Sequence, residues 1–138
     1  MAKIIKVEYR NDKKITVDEF VDLLNRSTLA QRRPVNDPDR IGKMLQYGNI
    51  LITAWLGDHL VGVSRALSDF AFCCYLSDLA VDEKHQHQGI GKRLIEETHR
   101  MAGEKVQLTL LAAPAAVNYY AKVGMERFEH CYIIKRKK

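Results

Sequence analysis

The sequence between Tyr75 and Ile95 constrains the fold of this chain more than any other part. An apolar stretch ends at Val81, a polar turn follows, and residues 86–92 (QHQGIGK) lead into a helical pattern. Glycines let a backbone approach a ligand closely, and the first N–H groups of a helix have no partner inside it. The positive end of the helix dipole adds to this effect, so the segment predicts a cradle for a pyrophosphate group.

Two better-known phosphate loops are excluded by their spacing. The chain contains no GxxxxGK[ST], and it contains no GxGxxG followed by an acidic residue ~20 positions later. Neither a P-loop nor a dinucleotide-binding fingerprint is therefore present. What remains is Q-x-x-G-x-G at residues 86–91, which, taken alone, also fits a helix start that binds no ligand.

One mixed α/β domain over residues 1–138 is predicted from the chain length and the order of the apolar segments. Thr16 and Glu19 form a T-x-x-E capping box at the start of one helix, and Asp37 followed by Pro38 starts a second. The predicted order of elements is β-α-α-β-β-β-α-β-α-β-β. Strands are expected at residues 3–9, 50–56, 60–67, 70–81, 106–111, 125–128 and 131–134, and the two later helices at 89–101 and 114–123.

The net charge of +5 is concentrated at the end of the chain. Residues 135–138 form a basic tail, and the remaining residues carry 18 basic against 17 acidic side chains. A nucleic-acid-binding domain would spread its excess of positive charge over a surface. No nucleic acid partner is therefore expected.

The expected environment is a reducing one, away from a membrane. The longest apolar run, Ile50–Leu56, is far shorter than the ~20 residues that cross a bilayer, and the N-terminus has no signal-peptide pattern. Cys73, Cys74 and Cys131 form no CxxC pair, and adjacent strand cysteines point to opposite faces, where they are poorly placed to bond to each other. A cytoplasmic location is expected.

Two motifs in the predicted order resemble the GNAT superfamily of acyl-CoA-dependent N-acyltransferases. Residues 81–94 read V-D-x-x-x-Q-x-x-G-x-G-K-x-L, which resembles motif A of that family. Residues 116–125 resemble its A-x-x-x-Y-x-K-x-G-F helix, with Met125 in place of Phe. The resemblance covers essentially the whole chain. One departure is Ala113, where many members carry an Asn that contacts the pantetheine arm.

The resemblance implies a cofactor, a reaction and a binding site. Acetyl-CoA would lie between two splayed parallel strands, residues 76–81 and 106–111, and its acetyl group would pass directly to a primary amine without a covalent enzyme intermediate. Members often pair as homodimers, and no metal is implied. Backbone groups expected to hold the pantetheine and the pyrophosphate belong to Leu79, Ala80, Val81, Gln86, His87, Gln88, Gly89, Ile90, Gly91 and Lys92.

Two residues are predicted to move protons in such a reaction. Tyr120 would act as the general acid towards the departing thiolate, with a ring packed in the core as the alternative. Asp78 would act as the general base, because it lies on the strand beside the thioester and burial would raise its pKa. A strand Asp that only caps a bulge is equally consistent with the sequence, and Asp69 and His85 are held in reserve.

The acceptor amine is less defined by the sequence. Residues 60–95 resemble the plant and algal branch that includes serotonin N-acetyltransferases, which would make the acceptor an arylalkylamine. Arg32 and Arg33 lie in the loop that shapes the acceptor site in this family and could favour an acidic substrate, and Arg65 would either face that site or be exposed on the sheet.

His85-x-His87 is too small a ligand set for a metal. The alternative function is a non-catalytic acyl-CoA-binding or sensor module.

Overall fold

The computed structural model describes residues 6–138, and its first two helices begin where the sequence predicts. The Thr16 Oγ1 accepts from the N–H of Glu19 at 3.1 Å, and the Thr16 N–H donates to Glu19 Oε1 at 3.0 Å. Asp37 accepts from the N–H of Arg40 at 3.2 Å at the start of the second helix. The helices are α1 (Val17–Arg26), α2 (Pro38–Tyr47), α3 (Ile90–Ala102) and α4 (Val117–Lys122).

Five strands form one mixed sheet in the order β1-β2-β3-β4-β5. All neighbouring pairs are antiparallel except the last, which is parallel, and this confirms the predicted mixed α/β class. The first strand was predicted over residues 3–9; its beginning lies outside the described residues, and its end overlaps the observed strand. The strands are β1 (Glu8–Arg10), β2 (Ile50–Leu56), β3 (His59–Ser68), β4 (Cys73–Val81) and β5 (Gln107–Leu110).

The sheet separates two apolar layers. On one face, Leu94 of α3 packs with Ile52 of β2. On the other face, Phe20 of α1 and Ile41 of α2 pack with Val63 of β3. Each of these side chains is almost completely buried, which contributes about 1.5–3 kcal/mol apiece to the folded state. No helix among residues 6–138 is both long enough and apolar enough to span a bilayer.

A bulge in β4 makes the two parallel strands diverge. Arg65 is opposite Asp78, but the next residue of β3, Ala66, is opposite Leu76, so Ser77 has no partner on β3. A bulge of this kind bends its strand. The pairing between β4 and β5 ends at Leu76, directly before the bulge. Residues 77–81 therefore separate from β5, as the predicted splay requires.

Two predicted elements are shorter than expected. Strand β4 was predicted to start at Phe70 but starts at Cys73, because the Asp69 carboxylate accepts three backbone N–H groups and holds residues 70–72 in a turn. Phe70 has a φ of 58°, which is incompatible with an extended strand. The helix predicted over residues 114–123 divides into a 3₁₀ turn, Pro114–Ala116, and α4.

The two strands predicted at the C-terminal end do not form. Residues 125–138 contain neither helix nor strand, although their apolar content suggested a final hairpin. A strand is stabilised by a paired neighbour and a buried face. Phe128 is 65% exposed and Tyr132 is 93% exposed, and among residues 6–138 β5 pairs only with β4, so this segment has neither source of stability.

Candidate functional site

The divergence of β4 from β5 opens a cleft of about 1210 Å³. On one side Leu79, Ala80, Val81 and Gln86 line it. The segment of residues 79–92, which runs from the end of β4 into α3, is here called the helix side. The opposite side, here called the arginine side, consists of Arg32, Arg33 and Arg40 from the α1–α2 region together with Arg65 of β3. Tyr120 of α4 also lines the cleft. Tyr120 and four of the predicted cofactor-binding residues, Leu79, Ala80, Val81 and Gln86, thus lie in one cleft, whereas Asp78 and residues 87–92 are not among its lining residues.

The end of β4 presents alternate backbone groups to the cleft. The Asp82 N–H donates to the Val61 carbonyl at 2.9 Å. Because backbone groups alternate in direction along an antiparallel strand, those of Leu79 and Val81 point away from β3 and towards the cleft. The same alternation turns the backbone of Ala80 towards β3, against the prediction that it would bind the cofactor. The Val81 carbonyl accepts from Gln86 Nε2 at 3.1 Å, which holds the following loop against the strand.

The loop between β4 and α3 contains two residues in the left-handed conformation. His87 has a φ of 64° and Gly89 a φ of 82°, and left-handed residues in such a turn form the concave arrangement of N–H groups that binds anions. No side chain of residues 6–138 caps α3, and Arg93 is the first residue whose N–H joins the helical ladder. A Cβ added at Gly89 would meet no atom within 4 Å, so the space over this helix start is open.

The two glycines of the loop have different roles. Gly89 is required for its left-handed conformation. Gly91 is required for packing, because a Cβ there would lie 2.3 Å from the Tyr119 hydroxyl oxygen. Tyr119 therefore packs over the first turn of α3.

Tyr120 is half-buried in the cleft wall. Its ring meets the ring of Tyr119 edge to face, with centroids 5.3 Å apart. Burial raises the pKa of the Tyr120 hydroxyl, the neighbouring Tyr119 adds to the increase, and the Arg33 guanidinium acts in the opposite direction. Tyr120 therefore remains protonated at neutral pH, which a proton donor must be.

Asp78 is completely buried and bonded to two guanidiniums. Its Oδ1 accepts from Arg33 Nε and its Oδ2 from Arg65 Nε. Arg33 also donates to the Ser77 carbonyl at 2.7 Å, and Arg65 donates to Ser77 Oγ at 3.0 Å. Both carboxylate oxygens are thus engaged, and the arrangement does not support the prediction that Asp78 receives a substrate proton. Asp78 instead holds the two arginines at the bulge.

The two residues held in reserve as bases do not fit that role either. The N–H groups of Phe72, Ala71 and Cys73 lower the pKa of Asp69 to about 2, which makes it a poor base and a structural part of its turn. His85 lies in a 3₁₀ turn between β4 and α3 and is not among the residues that line the cleft. None of the described residues that line the cleft carries a carboxylate or imidazole side chain.

One grouping of metal-ligand type is present among the described residues. Ligand atoms of His59, Asp82 and His85 lie within 4.8 Å of one another. However, Asp82 Oδ2 accepts from Arg26 at 2.5 Å, and its Oδ1 accepts from the Lys84 N–H at 2.9 Å. A guanidinium bonded to a prospective ligand opposes a second cation, so this grouping does not support a metal site.

The arginine side contains the residues that sequence reasoning described least well. Arg65, for which an exposed position was one of two expectations, is only 6% exposed. Ser77 and Arg40 were not singled out at all. The one available signal was Asp78 itself, because a carboxylate inside a buried strand requires a partner. No local pattern indicates that one partner lies 45 residues earlier in the chain.

The chain is similar to known acetyltransferases. The family model described as "Acetyltransferase (GNAT) domain" matches residues 24–132. A curated relative, "Histone acetyltransferase TAP1" of Glycine max, is 39% identical over 69 residues, which make up 49% of this chain and 30% of that protein. The matched segment therefore covers less than a third of the length of this relative.

Solved structures share the fold at low sequence identity. A probable acetyltransferase from meticillin-resistant Staphylococcus aureus has a TM-score of 0.77 at 22% identity, over 95% of this chain and 100% of that chain. An aminoglycoside N-acetyltransferase in complex with CoA has a TM-score of 0.75 at 15% identity, over 100% and 99% of the two chains. The chain belongs to the GNAT acetyltransferase family, since the family model matches most of its length.

Proposed function

We propose that this chain transfers an acetyl group from acetyl-CoA to a primary amine. The observation that carries the proposal is the helix side of the cleft. There, the backbone groups of Leu79 and the N–H of Val81 point away from β3, and residues 87–92 follow with N–H groups at the uncapped start of α3. An extended amide-containing arm followed by a diphosphate matches that order of donors and acceptors. A structural neighbour solved with CoA supports the same cofactor.

The residues that would hold acetyl-CoA follow from this order. Leu79 and Val81 would pair with the pantetheine amides, and the N–H groups from His87 to Lys92 would hold the pyrophosphate. Lys92, in the first turn of α3, adds a formal positive charge. Acetyl-CoA supplies the acetyl group as a reactive thioester, so the enzyme needs neither a covalent intermediate nor a metal. A backbone N–H near the thioester carbonyl would stabilise the negative charge that develops on its oxygen.

Tyr120 is the proposed proton donor. When the amine nitrogen bonds to the carbonyl carbon and the carbon–sulfur bond breaks, the sulfur leaves as a thiolate that needs a proton. The Tyr120 hydroxyl lies in the cleft wall and remains protonated at neutral pH because burial raises its pKa. It can therefore supply that proton and be reprotonated from solvent.

Removal of the amine proton is proposed to proceed without a dedicated carboxylate. The group of Arg33, Arg65 and Asp78 carries one net positive charge. A nearby positive charge disfavours the protonated form of an amine, so this group would lower the pKa of a bound amine. The free amine could then attack after losing its proton to water. Asp78 acts in this scheme by positioning the two arginines.

The test is a titration followed by an amine panel. Calorimetry with the purified chain and acetyl-CoA measures cofactor binding, and release of free thiol measures transfer. The panel contains arylalkylamines, which the plant and algal resemblance suggests, together with aminoglycosides, polyamines and amino-acid derivatives. Micromolar binding plus thiol release with one class would support the proposal.

Other outcomes separate the alternatives. Binding of acetyl-CoA without release from any amine would favour the non-catalytic sensor, for which the departure at Ala113 is the relevant sequence observation. Absence of binding would contradict the cofactor proposal. The cytoplasmic location and the homodimer remain predictions, which fractionation of cells and light scattering of the purified chain would test.

A further inference from the structure

The charged residues that line the cleft all have the same sign. Of the described residues that line it, seven are basic and none is acidic. Four of the basic residues form the arginine side, and the others belong to the C-terminal tail. The basic residues are Arg32, Arg33, Arg40, Arg65, Lys135, Arg136 and Lys138.

The innermost part of the arginine side holds an unbalanced buried charge. The side chains of Arg33 and Arg65 are 21% and 7% exposed, and both bond to the single carboxylate of Asp78. Their other hydrogen bonds go to uncharged oxygens, namely the carbonyls of Arg32, Ser77 and Met44 and the Ser77 hydroxyl. Because a buried charge is costly unless it is paired, the remaining positive charge favours an anion nearby.

The outer part of the arginine side carries positive charges that are available to bind an anion. Arg32 and Arg40 are exposed, both line the cleft, and neither forms an ion pair within residues 6–138. Arginine presents a planar set of donors that matches a carboxylate or phosphate. Inner and outer arginines together make a positive field that attracts anions and repels cations.

This field lies away from the helix side, which would hold the diphosphate of the cofactor. Ser77, which both inner arginines contact, is four residues before Val81 on an extended strand. At about 3.3 Å per residue this is about 13 Å, before the loop to α3 begins. The arginine side therefore corresponds to the acetyl end of the proposed cofactor site, where the acceptor must approach.

We infer that the acceptor is a primary amine that also carries a carboxylate, and that the arginine side binds this carboxylate. The inference rests on the proposed acetyl transfer. In the reaction a bond forms between the amine nitrogen and the acetyl carbon, the carbon–sulfur bond breaks, and the carboxylate is unchanged. Polycationic amines such as aminoglycosides are poor acceptors for this chain, although a structural neighbour acts on them.

The experiment compares acceptors that differ in one charge. A panel of amino acids is assayed beside the corresponding amino-acid amides and one aminoglycoside, with rates expressed per free amine because the amides have a lower amine pKa. We expect kcat/KM for the best carboxylate to exceed that of its amide by about tenfold or more, the usual effect of a hydrogen-bonded charge. Arg32→Gln and Arg40→Gln should reduce this ratio. Arg100→Gln, which alters an exposed arginine paired with Glu97 outside the cleft, should leave it unchanged.

A second measurement does not require turnover. The CoA-loaded protein is titrated with N-acetylated amino acids and with their amides, and only the carboxylates should bind. Equal binding of both, binding of neither, or a preference for amides or the aminoglycoside would overturn the inference while leaving acetyl transfer intact. Loss of acetyl-CoA affinity in Arg32→Gln and Arg40→Gln with an unchanged acceptor ratio would also overturn it, since the arginines would then serve the cofactor. Failure to bind acetyl-CoA would instead contradict the proposed function.

Discussion

The helix side and the arginine side of the cleft consist of different chemical groups. On the helix side, the groups proposed to bind acetyl-CoA are mostly backbone N–H and C=O groups, and they come from the continuous segment 79–92. On the arginine side, they are charged side chains from the α1–α2 region, β3 and β4. A backbone site requires a particular conformation, whereas a side-chain site requires distant residues to meet. The helix side is therefore suited to a constant cofactor, and the arginine side can vary with the acceptor.

The largest effect is expected from a change at the centre of the arginine side. Asp78→Asn keeps the shape of the side chain but leaves Arg33 and Arg65 buried without a counter-charge. Breaking a buried ion pair in this way costs about 3–5 kcal/mol of unfolding free energy. Urea denaturation would measure the loss. Asp12→Asn, in an exposed pair with Arg10, is the control and should hardly move the midpoint. If both variants behave alike, the arginine side does not depend on Asp78.

The next effect concerns the residue between the two sides. Tyr120→Phe removes the proposed proton donor and should lower kcat about 100-fold, which is at the low end for general acid catalysis. Acetyl-CoA affinity should be nearly unchanged. Because burial raises the pKa of Tyr120, the fall in the wild-type rate from loss of this proton should occur at a higher pH than for an exposed tyrosine. Tyr119→Phe is the matched control, and an equal loss of kcat in both variants would argue against a specific role for Tyr120.

On the helix side, a charge can test whether an anion is bound there. Gly89→Asp introduces a carboxylate into the open space over the start of α3 and should weaken acetyl-CoA binding about tenfold or more by repelling the pyrophosphate. Gly57→Asp is the matched control. Gly57 is also left-handed with no neighbour near a Cβ, but it lies in the turn between β2 and β3. Calorimetry on both variants decides the question, since equal affinities would remove the anion site from this loop.

The smallest effect separates packing from ligand binding within the helix side. Gly91→Ala should reduce the unfolding free energy by about 1 kcal/mol, because its Cβ would collide with the Tyr119 hydroxyl and the ring must shift. In a Tyr119→Phe background the cost should be smaller, since the nearest remaining atom is 3.3 Å away. Urea denaturation of all four proteins measures this coupling. The same cost in both backgrounds would contradict the contact.

Local patterns predicted the elements of the fold that depend on nearby residues. The capping box at Thr16, the Asp37 cap of α2 and the start of α3 are all encoded within a few residues, and they are found where expected. The prediction of two C-terminal strands was wrong because strand formation depends on residues that are distant in the sequence. A strand requires a partner, and nothing within residues 125–138 indicates whether β5 will supply one. The prediction of the start of β4 was wrong because the Asp69 carboxylate binds three backbone N–H groups, and this turn outweighs the apolar character of residues 70–72.

The candidate site divides in the same way. The sequence by itself determined the helix side, because the left-handed turn at Gly89 and the free N–H groups of α3 follow from consecutive residues. It also indicated the family, because its two motifs resemble those of the GNAT superfamily. Only the tertiary structure decided the use of Asp78. A carboxylate on a strand becomes a base or an anchor according to what is packed beside it, and Arg33 reaches it only after α1 and α2 have docked on the sheet. Backbone conformation is local, whereas the pairing of buried charges depends on the whole fold.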